Sequence, residues 1–173
     1  MNIFLCGLPT VGKTLFGKAL AKYFSTSFFD VDDLIVMNYG NKLYSSACEI
    51  FQAVGKQEFT KLEIEALRSI SLDNSVTALG GGTIMHQEAC DIIKNRGLLV
   101  YLSLPRAQIC ERLLKRGLPE RLKQAPNMEE ILQQRIERMQ RTCDYHFPLD
   151  EVNLLDERSL LSACESLNTL LNQ

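Results

Sequence analysis

Ile3-Phe4-Leu5-Cys6-Gly7-Leu8-Pro9-Thr10-Val11-Gly12-Lys13-Thr14 is the stretch on which the fold turns. Its first four residues are an apolar run of strand length. The segment from Gly7 satisfies G-x-x-x-x-G-K-(S/T) in full. Helical periodicity follows from Lys13 to about Phe24, with Phe16, Ala19, Leu20 and Tyr23 on one face. Strand, glycine loop and helix N-terminus in that order make a phosphate cradle, because backbone N–H groups and the positive helix end converge there. Lys13 can reach the β- and γ-phosphates of a nucleotide, and the Thr14 hydroxyl can ligate Mg²⁺. Thr10 and Val11 stand where such loops often carry a second glycine or a small residue, which stiffens the loop.

Outward from this stretch, strand-like apolar runs alternate with helical segments, the pattern of an α/β fold with a parallel sheet. Phe28–Val31, Val76–Leu79 and Leu98–Leu102 read as further strands, with a weak last strand at Val152-Asn153-Leu154 before a C-terminal helix. Ser46-Ala47-Cys48-Glu49 fits a capping box whose helix stops at Gly55. A longer helix spans about Glu58–Ile70, with Phe59, Leu62, Ala66, Leu67 and Ile70 inward. Two more, about Ala107–Lys115 and Met128–Thr142, flank a loop containing Gly117, Pro119 and Pro126.

Composition narrows the classes. A length of 173 residues predicts one domain, and 46% hydrophobic with 23% charged residues excludes wholesale disorder. A net charge of −2 argues against a dedicated nucleic-acid binder, which needs a basic excess. No apolar run approaches the ~18–20 residues of a membrane span, and the N-terminus has no signal-peptide core, so a cytosolic protein is expected. The six cysteines are scattered without ligand spacing and read as reduced, mostly buried hydrophobes. His86 and His146 have no nucleophile pattern beside them and read as structural. No long apolar stripe is left unassigned, which favours a monomer.

The strands at Val76–Leu79 and Leu98–Leu102 run into glycines and Ser103, so neither supplies a metal carboxylate. Asp30, Asp32 and Asp33 remain. Alternation along an extended chain puts Asp30 and Asp32 on one face, where two like charges call for a cation or donors. The reading is a carboxylate beside Mg²⁺ and one for a substrate hydroxyl; the alternative is a strand end and helix start. Asn41-Lys42-Leu43-Tyr44 lacks the Asp of the guanine-reading N-K-x-D pattern, and no D-x-x-G switch occurs. The D-G-(F/Y)-P-R segment of nucleoside monophosphate kinases is absent as well. Residues 106–123 hold Arg106, Arg112, Lys115, Arg116, Arg121 and Lys123 against Glu111 and Glu120, a local excess suited to a triphosphate. Arg106, Lys115 and Lys123 read as a solvated face, and Arg121 as functional.

The loop, the Asp30-Val31-Asp32 pair and the Gly80-Gly81-Gly82 run, at these separations, make the sequence resemble shikimate kinase over almost the whole chain. The resemblance implies a three-layer αβα sandwich with a five-stranded parallel sheet, of the nucleoside monophosphate kinase type. It implies one domain over 1–173, with a substrate-binding insert at about 33–62 and a lid at about 112–126. The implied activity is ATP-dependent phosphorylation of the 3-hydroxyl of shikimate, on the route to chorismate and the aromatic amino acids.

By the same resemblance, Thr10, Val11, Gly12, Lys13, Thr14, Leu15, Arg112 and Arg121 contact ATP. Thr14 and Asp30, the latter through water, hold Mg²⁺; Lys13, Asp32 and Arg121 are catalytic. Asp32, Gly81, Gly82 and Arg141 meet the substrate, with Arg141 and Tyr145 resembling an R-x-P-x-Y segment in which Cys143 replaces proline. The family's G-E-x-x-F-R helix start reads Gly55-Lys56-Gln57-Glu58-Phe59-Thr60 here, so Thr60 stands in place of a substrate-binding arginine and Lys61 is the nearest substitute. That departure implies weaker shikimate binding. It leaves open a kinase for another small hydroxy acid or polyol, or a non-catalytic ATP-binding regulator.

Overall fold

The computed structural model describes residues 1–40, 43–70, 74–117 and 127–173. Five strands form one parallel sheet in the order β2-β3-β1-β4-β5. They are β1 (Asn2–Cys6), β2 (Ser27–Asp30), β3 (Ser75–Ala78), β4 (Leu98–Ser103) and β5 (Tyr145–Pro148). Every residue of β1 and β3 is buried, as is Leu99–Leu102 of β4, because helices cover both faces of a parallel sheet. In the central pair Ile3 sits opposite Val76 and Leu5 opposite Ala78, while on the other side Ile3 faces Leu98. Helix α1 (Lys13–Tyr23) packs beside β2 and β3 and against the C-terminal helix, and Phe16 stacks on Phe147 of β5.

After β2 the chain turns at once into α2 (Val31–Tyr39), capped by the Asp30 carboxylate, which accepts from Asp32 N at 3.1 Å. Helix α3 (Ala47–Ser69) starts at the expected capping box. Ser46 Oγ accepts from Glu49 N at 3.3 Å. The Glu49 carboxylate reaches back to Ser45 rather than Ser46, taking its N–H and hydroxyl at 2.8 Å each, and these bonds hold it below the ordinary glutamate range. Gly55 breaks the helix as expected, with φ 78° and ψ 174°, and the second half buries Phe59, Leu62, Ala66 and Leu67.

A 3₁₀ turn (Thr83–Met85) and α4 (Gln87–Lys94) lead into β4. Helices α5 (Arg106–Arg116) and α6 (Met128–Thr142) follow, and α7 (Glu157–Leu171) ends the fold. Among the described residues no helix is long and apolar enough to cross a membrane.

Two expectations need correction. The fifth strand is Tyr145–Pro148, not Val152–Leu154. The latter stretch is a turn, in which Leu155 N donates to Asn153 Oδ1 and Asn153 N to Ser159 Oγ ahead of the α7 cap, Asp156. β5 pairs on one side only, so its Tyr-His-Phe-Pro composition carries no fully buried run. Second, only Cys6, Cys90 and Cys164 are buried; Cys48 is exposed, and Cys110 and Cys143 are intermediate. All six are free thiols, with burial pushing Cys164 up to about 11 and raising Cys6 and Cys143 as well.

The β1–β4 junction leaves no space at Gly97, where a Cβ would lie 2.2 Å from the Asn2 carbonyl oxygen. Backbone cannot yield as a flexible side chain does, so Gly97→Ala should cost about 1–3 kcal/mol of stability, read from urea unfolding midpoints.

Candidate active site

Parallel strands deliver their carboxyl ends to one edge of the sheet, and that edge holds the functional residues. The loop after β1 carries the phosphate motif, the turn after β2 carries Asp30 and Asp32, and the chain after β3 carries Gly80, Gly81 and Gly82. All three segments line one cavity of about 690 Å³. Its walls also include Pro9, Phe51, Phe59, Arg112 and Arg135.

Gly12 caps α1 at φ 113°, a left-handed conformation that glycine adopts without strain, and a Cβ there would strike Leu154 at 2.2 Å. Lys13 Nζ donates to the carbonyls of Gly7 at 2.9 Å and Leu8 at 3.1 Å, which draws the loop around its own lysine. Burial holds the Lys13 ammonium below the ordinary lysine range; Asp32 and Asp30 pull it back up, and Arg135 adds to the fall. Thr14 Oγ1 donates to Asp30 Oδ2 at 2.8 Å, joining the two groups expected to serve a metal. Arg112 Nη1 donates to the Thr10 and Val11 carbonyls at 3.2 and 3.4 Å, fastening α5 to the phosphate loop.

Asp30 and Asp32 share the cavity, but not by strand alternation. Asp30 ends β2 as the cap of α2 and Asp32 lies in that helix's first turn. A helix N-terminus stabilises nearby carboxylates and the Lys13 ammonium attracts both, so the pair is tolerated. The strand-end and helix-start reading is therefore the correct local structure, and both carboxylates still face the cavity.

The glycine run is shaped by Glu63, which is 1% exposed and accepts from Thr83 Oγ1 at 2.9 Å. A Cβ at Gly80 would meet Glu63 Oε1 at 2.7 Å and Thr83 Oγ1 at 2.9 Å, so a side chain there would have to displace the Glu63–Thr83 pair.

Among the expected site residues, Thr10, Gly12, Lys13, Thr14, Leu15, Asp30, Asp32, Gly81, Gly82 and Arg112 line the cavity. Val11 is buried beneath the loop. Lys61 and Arg141 do not reach the cavity. Lys61 Nζ pairs with Glu58 at 2.8 Å, and the exposed Arg141 lies 3.9 Å from Glu137. Arg121 lies outside the described residues. Thr60 does not line the cavity either, and its hydroxyl donates to the Lys56 carbonyl at 3.0 Å and sits 3.2 Å from His86 Nε2. Lys115, read as a solvated side chain, is on the cavity wall with its ammonium 2.7 Å from Glu111.

The arginine that α6 presents to the cavity is Arg135, six residues before Arg141; a Cβ on Gly81 would lie 3.7 Å from its guanidinium. A sequence signal existed. Arg135 falls between Leu132 and Met139, the two buried residues of α6, and so belongs to the helix's inner face. Glu63 was missed for the same reason, within the stripe Phe59, Leu62, Ala66 and Leu67.

The shikimate kinase family profile matches residues 9–163. The chain belongs to the shikimate kinase family. It is 48% identical to the shikimate kinase of Chlamydia pneumoniae over 174 residues, with 99% of each chain covered. It is 40% identical to that of Chlamydia muridarum over 158 residues, covering 90% of this chain and 84% of the relative. A shikimate kinase from Acinetobacter baumannii, solved in complex with shikimate, superposes with a TM-score of 0.77 at 26% identity, covering 99% of this chain and 93% of that one. A gluconokinase from Sinorhizobium meliloti shares the fold alone, at 16% identity and a TM-score of 0.58. Shikimate kinases are phosphotransferases with an alcohol acceptor, which accounts for a phosphate loop facing a second, mixed polar and apolar wall.

A charge-assisted hydrogen bond is worth roughly 1.5–3 kcal/mol, so Arg135→Ala should raise the shikimate KM about 10–100-fold. Arg141→Ala and Lys61→Ala should each leave it within about twofold, because surface ion pairs contribute little. Steady-state kinetics at saturating ATP separates the three; an Arg141→Ala loss as large as that of Arg135→Ala would reverse the placement.

Proposed function

We infer that this chain transfers the γ-phosphoryl group of ATP to the 3-hydroxyl of shikimate. The observation that carries this reading is the meeting of Lys13, the Thr14–Asp30 pair and Asp32 around one cavity, opposite the Gly80–Gly82 run and Arg135. The loop N–H groups, the α1 N-terminus and Lys13 bind the phosphates, and Arg112 braces the loop from α5.

Thr14 Oγ1 and the Asp30 carboxylate are hard oxygen donors 2.8 Å apart, a set that fits Mg²⁺, with Asp30 acting through water. When bound, the ion would neutralise phosphate charge as the γ-phosphoryl leaves.

Asp32 accepts the hydrogen bond of the acceptor hydroxyl and aligns it, Gly81 and Gly82 approach the acceptor with bare backbone, and Arg135 grips its carboxylate. Alignment and charge neutralisation, rather than a strong base, supply the rate. With Thr60 in place of a second arginine, the acceptor is held by fewer cations, which supports a high shikimate KM. Another hydroxy acid has no observation in its favour that shikimate lacks.

ADP release from Mg-ATP, with and without shikimate, tests the reading. Stimulation that saturates only at high shikimate is expected; tight ATP binding with no stimulation would overturn it. Lys13→Ala should lower shikimate-dependent turnover at least ~10²-fold.

A further inference from the structure

We propose that Arg138 is a positioning residue for the acceptor site: by fastening α6 to the chain that follows the glycine run, it sets where Arg135 stands. This deepens the acceptor reading, in which Arg135 holds the substrate carboxylate, and rests on it. Arg138 lies three residues beyond Arg135, so the two side chains leave the same side of the helix. Arg135 continues to the cavity wall beside Gly81, while Arg138 turns to the chain after β3. Its Nε donates to the Ile84 carbonyl at 3.3 Å, and its Nη2 donates to Gln87 Oε1 at 2.8 Å and lies 3.7 Å from Cys90 Sγ. A planar guanidinium holds several acceptors in one fixed geometry, which a flexible ammonium does not.

The Ile84 carbonyl also accepts from the buried Cys90 thiol at 3.1 Å, so both of its lone pairs are used and the 3₁₀ turn is held from two sides. That turn is tied back to the glycine run by backbone bonds, Thr83 N to the Gly80 carbonyl at 3.2 Å and Met85 N to that of Gly82 at 3.0 Å. A path of short contacts thus runs from Arg135 through one turn of α6 to Arg138, and from Ile84 back to Gly81. Two ion pairs of α6 do not make this link. Arg141 lies 3.9 Å from Glu137 of the same helix, and Arg106 meets Glu129 at 3.2 Å on the exposed start of α6. Groups that position a substrate tolerate little displacement, since a misplacement of about 1 Å can cost about 10²-fold.

Arg138→Met keeps the length of the stem and removes the guanidinium. Steady-state kinetics should find the shikimate KM raised about fivefold, with the ATP KM and kcat within about twofold. In an Arg135→Ala background the same substitution should leave the shikimate KM within about twofold, because two residues acting through one contact do not add. Gln87→Ala, an exposed change that removes the shortest of the three contacts, should raise the shikimate KM about threefold, and it carries the test where Arg138→Met does not fold. A lower kcat with both KM values unchanged would reduce Arg138 to a stabilising contact and overturn the proposal, as would a matching rise in the ATP KM. An equal rise in the shikimate KM with and without Arg135 would also overturn it, by showing that Arg138 acts elsewhere. If Arg135→Ala itself leaves the shikimate KM unaltered, the reading of Arg135 falls and the proposal falls with it. A rise with Arg135→Ala and none with Arg138→Met or Gln87→Ala removes the proposal alone.

Discussion

The turn from Gly7 to Lys13 is tight because the space around it is already taken. A Cβ on Gly7 would lie 2.7 Å from the Leu102 carbonyl oxygen, and one on Gly12 would strike Leu154. The loop is therefore pressed between the carboxyl edge of the sheet and the turn before α7, with little freedom to choose another path. Lys13 closes it from inside through the Gly7 and Leu8 carbonyls, and Arg112 closes it from outside through those of Thr10 and Val11. Four carbonyl oxygens are thereby occupied by two cations, and Val11 N adds a bond within the loop to the Leu8 carbonyl at 3.3 Å. Phosphoryl transfer needs groups placed before the reaction, and these contacts place them.

The acceptor half obeys a different constraint, the packing of one buried carboxylate. Glu63 crowds Gly80 and takes the Thr83 hydroxyl, so the glycine run is fixed by steric exclusion on one side and by a hydrogen bond on the other. Arg135 reaches the cavity, Lys61 is occupied with Glu58, and Thr60 is short and engaged with the Lys56 carbonyl. Among these three, it is α6 that brings a cationic side chain to the cavity wall, beside Gly81.

How much of this was legible in the sequence depends on whether the signal was local. The phosphate loop, the strand before it and the helix after it were readable, since the motif, the apolar run and the 3.6-residue period lie within about twenty residues. The capping box at Ser46 and the break at Gly55 were readable for the same reason. β5 was not, because an edge strand need not bury a continuous run. Strand alternation places Asp32 beside Asp30 for the wrong reason, because a helix begins at Val31. Arg141 fits a short motif by spacing, whereas Arg135 is marked only by its place on the inner face of α6, between Leu132 and Met139. Tertiary packing decided those cases.

The break at Gly55 divides the labour of α3 mechanically. The second half is stapled to the chain after β3 at two points, Thr60 to His86 and Glu63 to Thr83. The first half, with Ala47, Cys48 and Phe51 on the cavity wall, meets it across Gly55 at φ 78°, where a Cβ would touch no atom within 4 Å. The two halves also meet edge to face through Phe51 and Phe59, whose ring centroids lie 5.6 Å apart and which both line the cavity. The bend at Gly55 therefore sets the angle at which the aromatic wall stands to the anchored half of the helix.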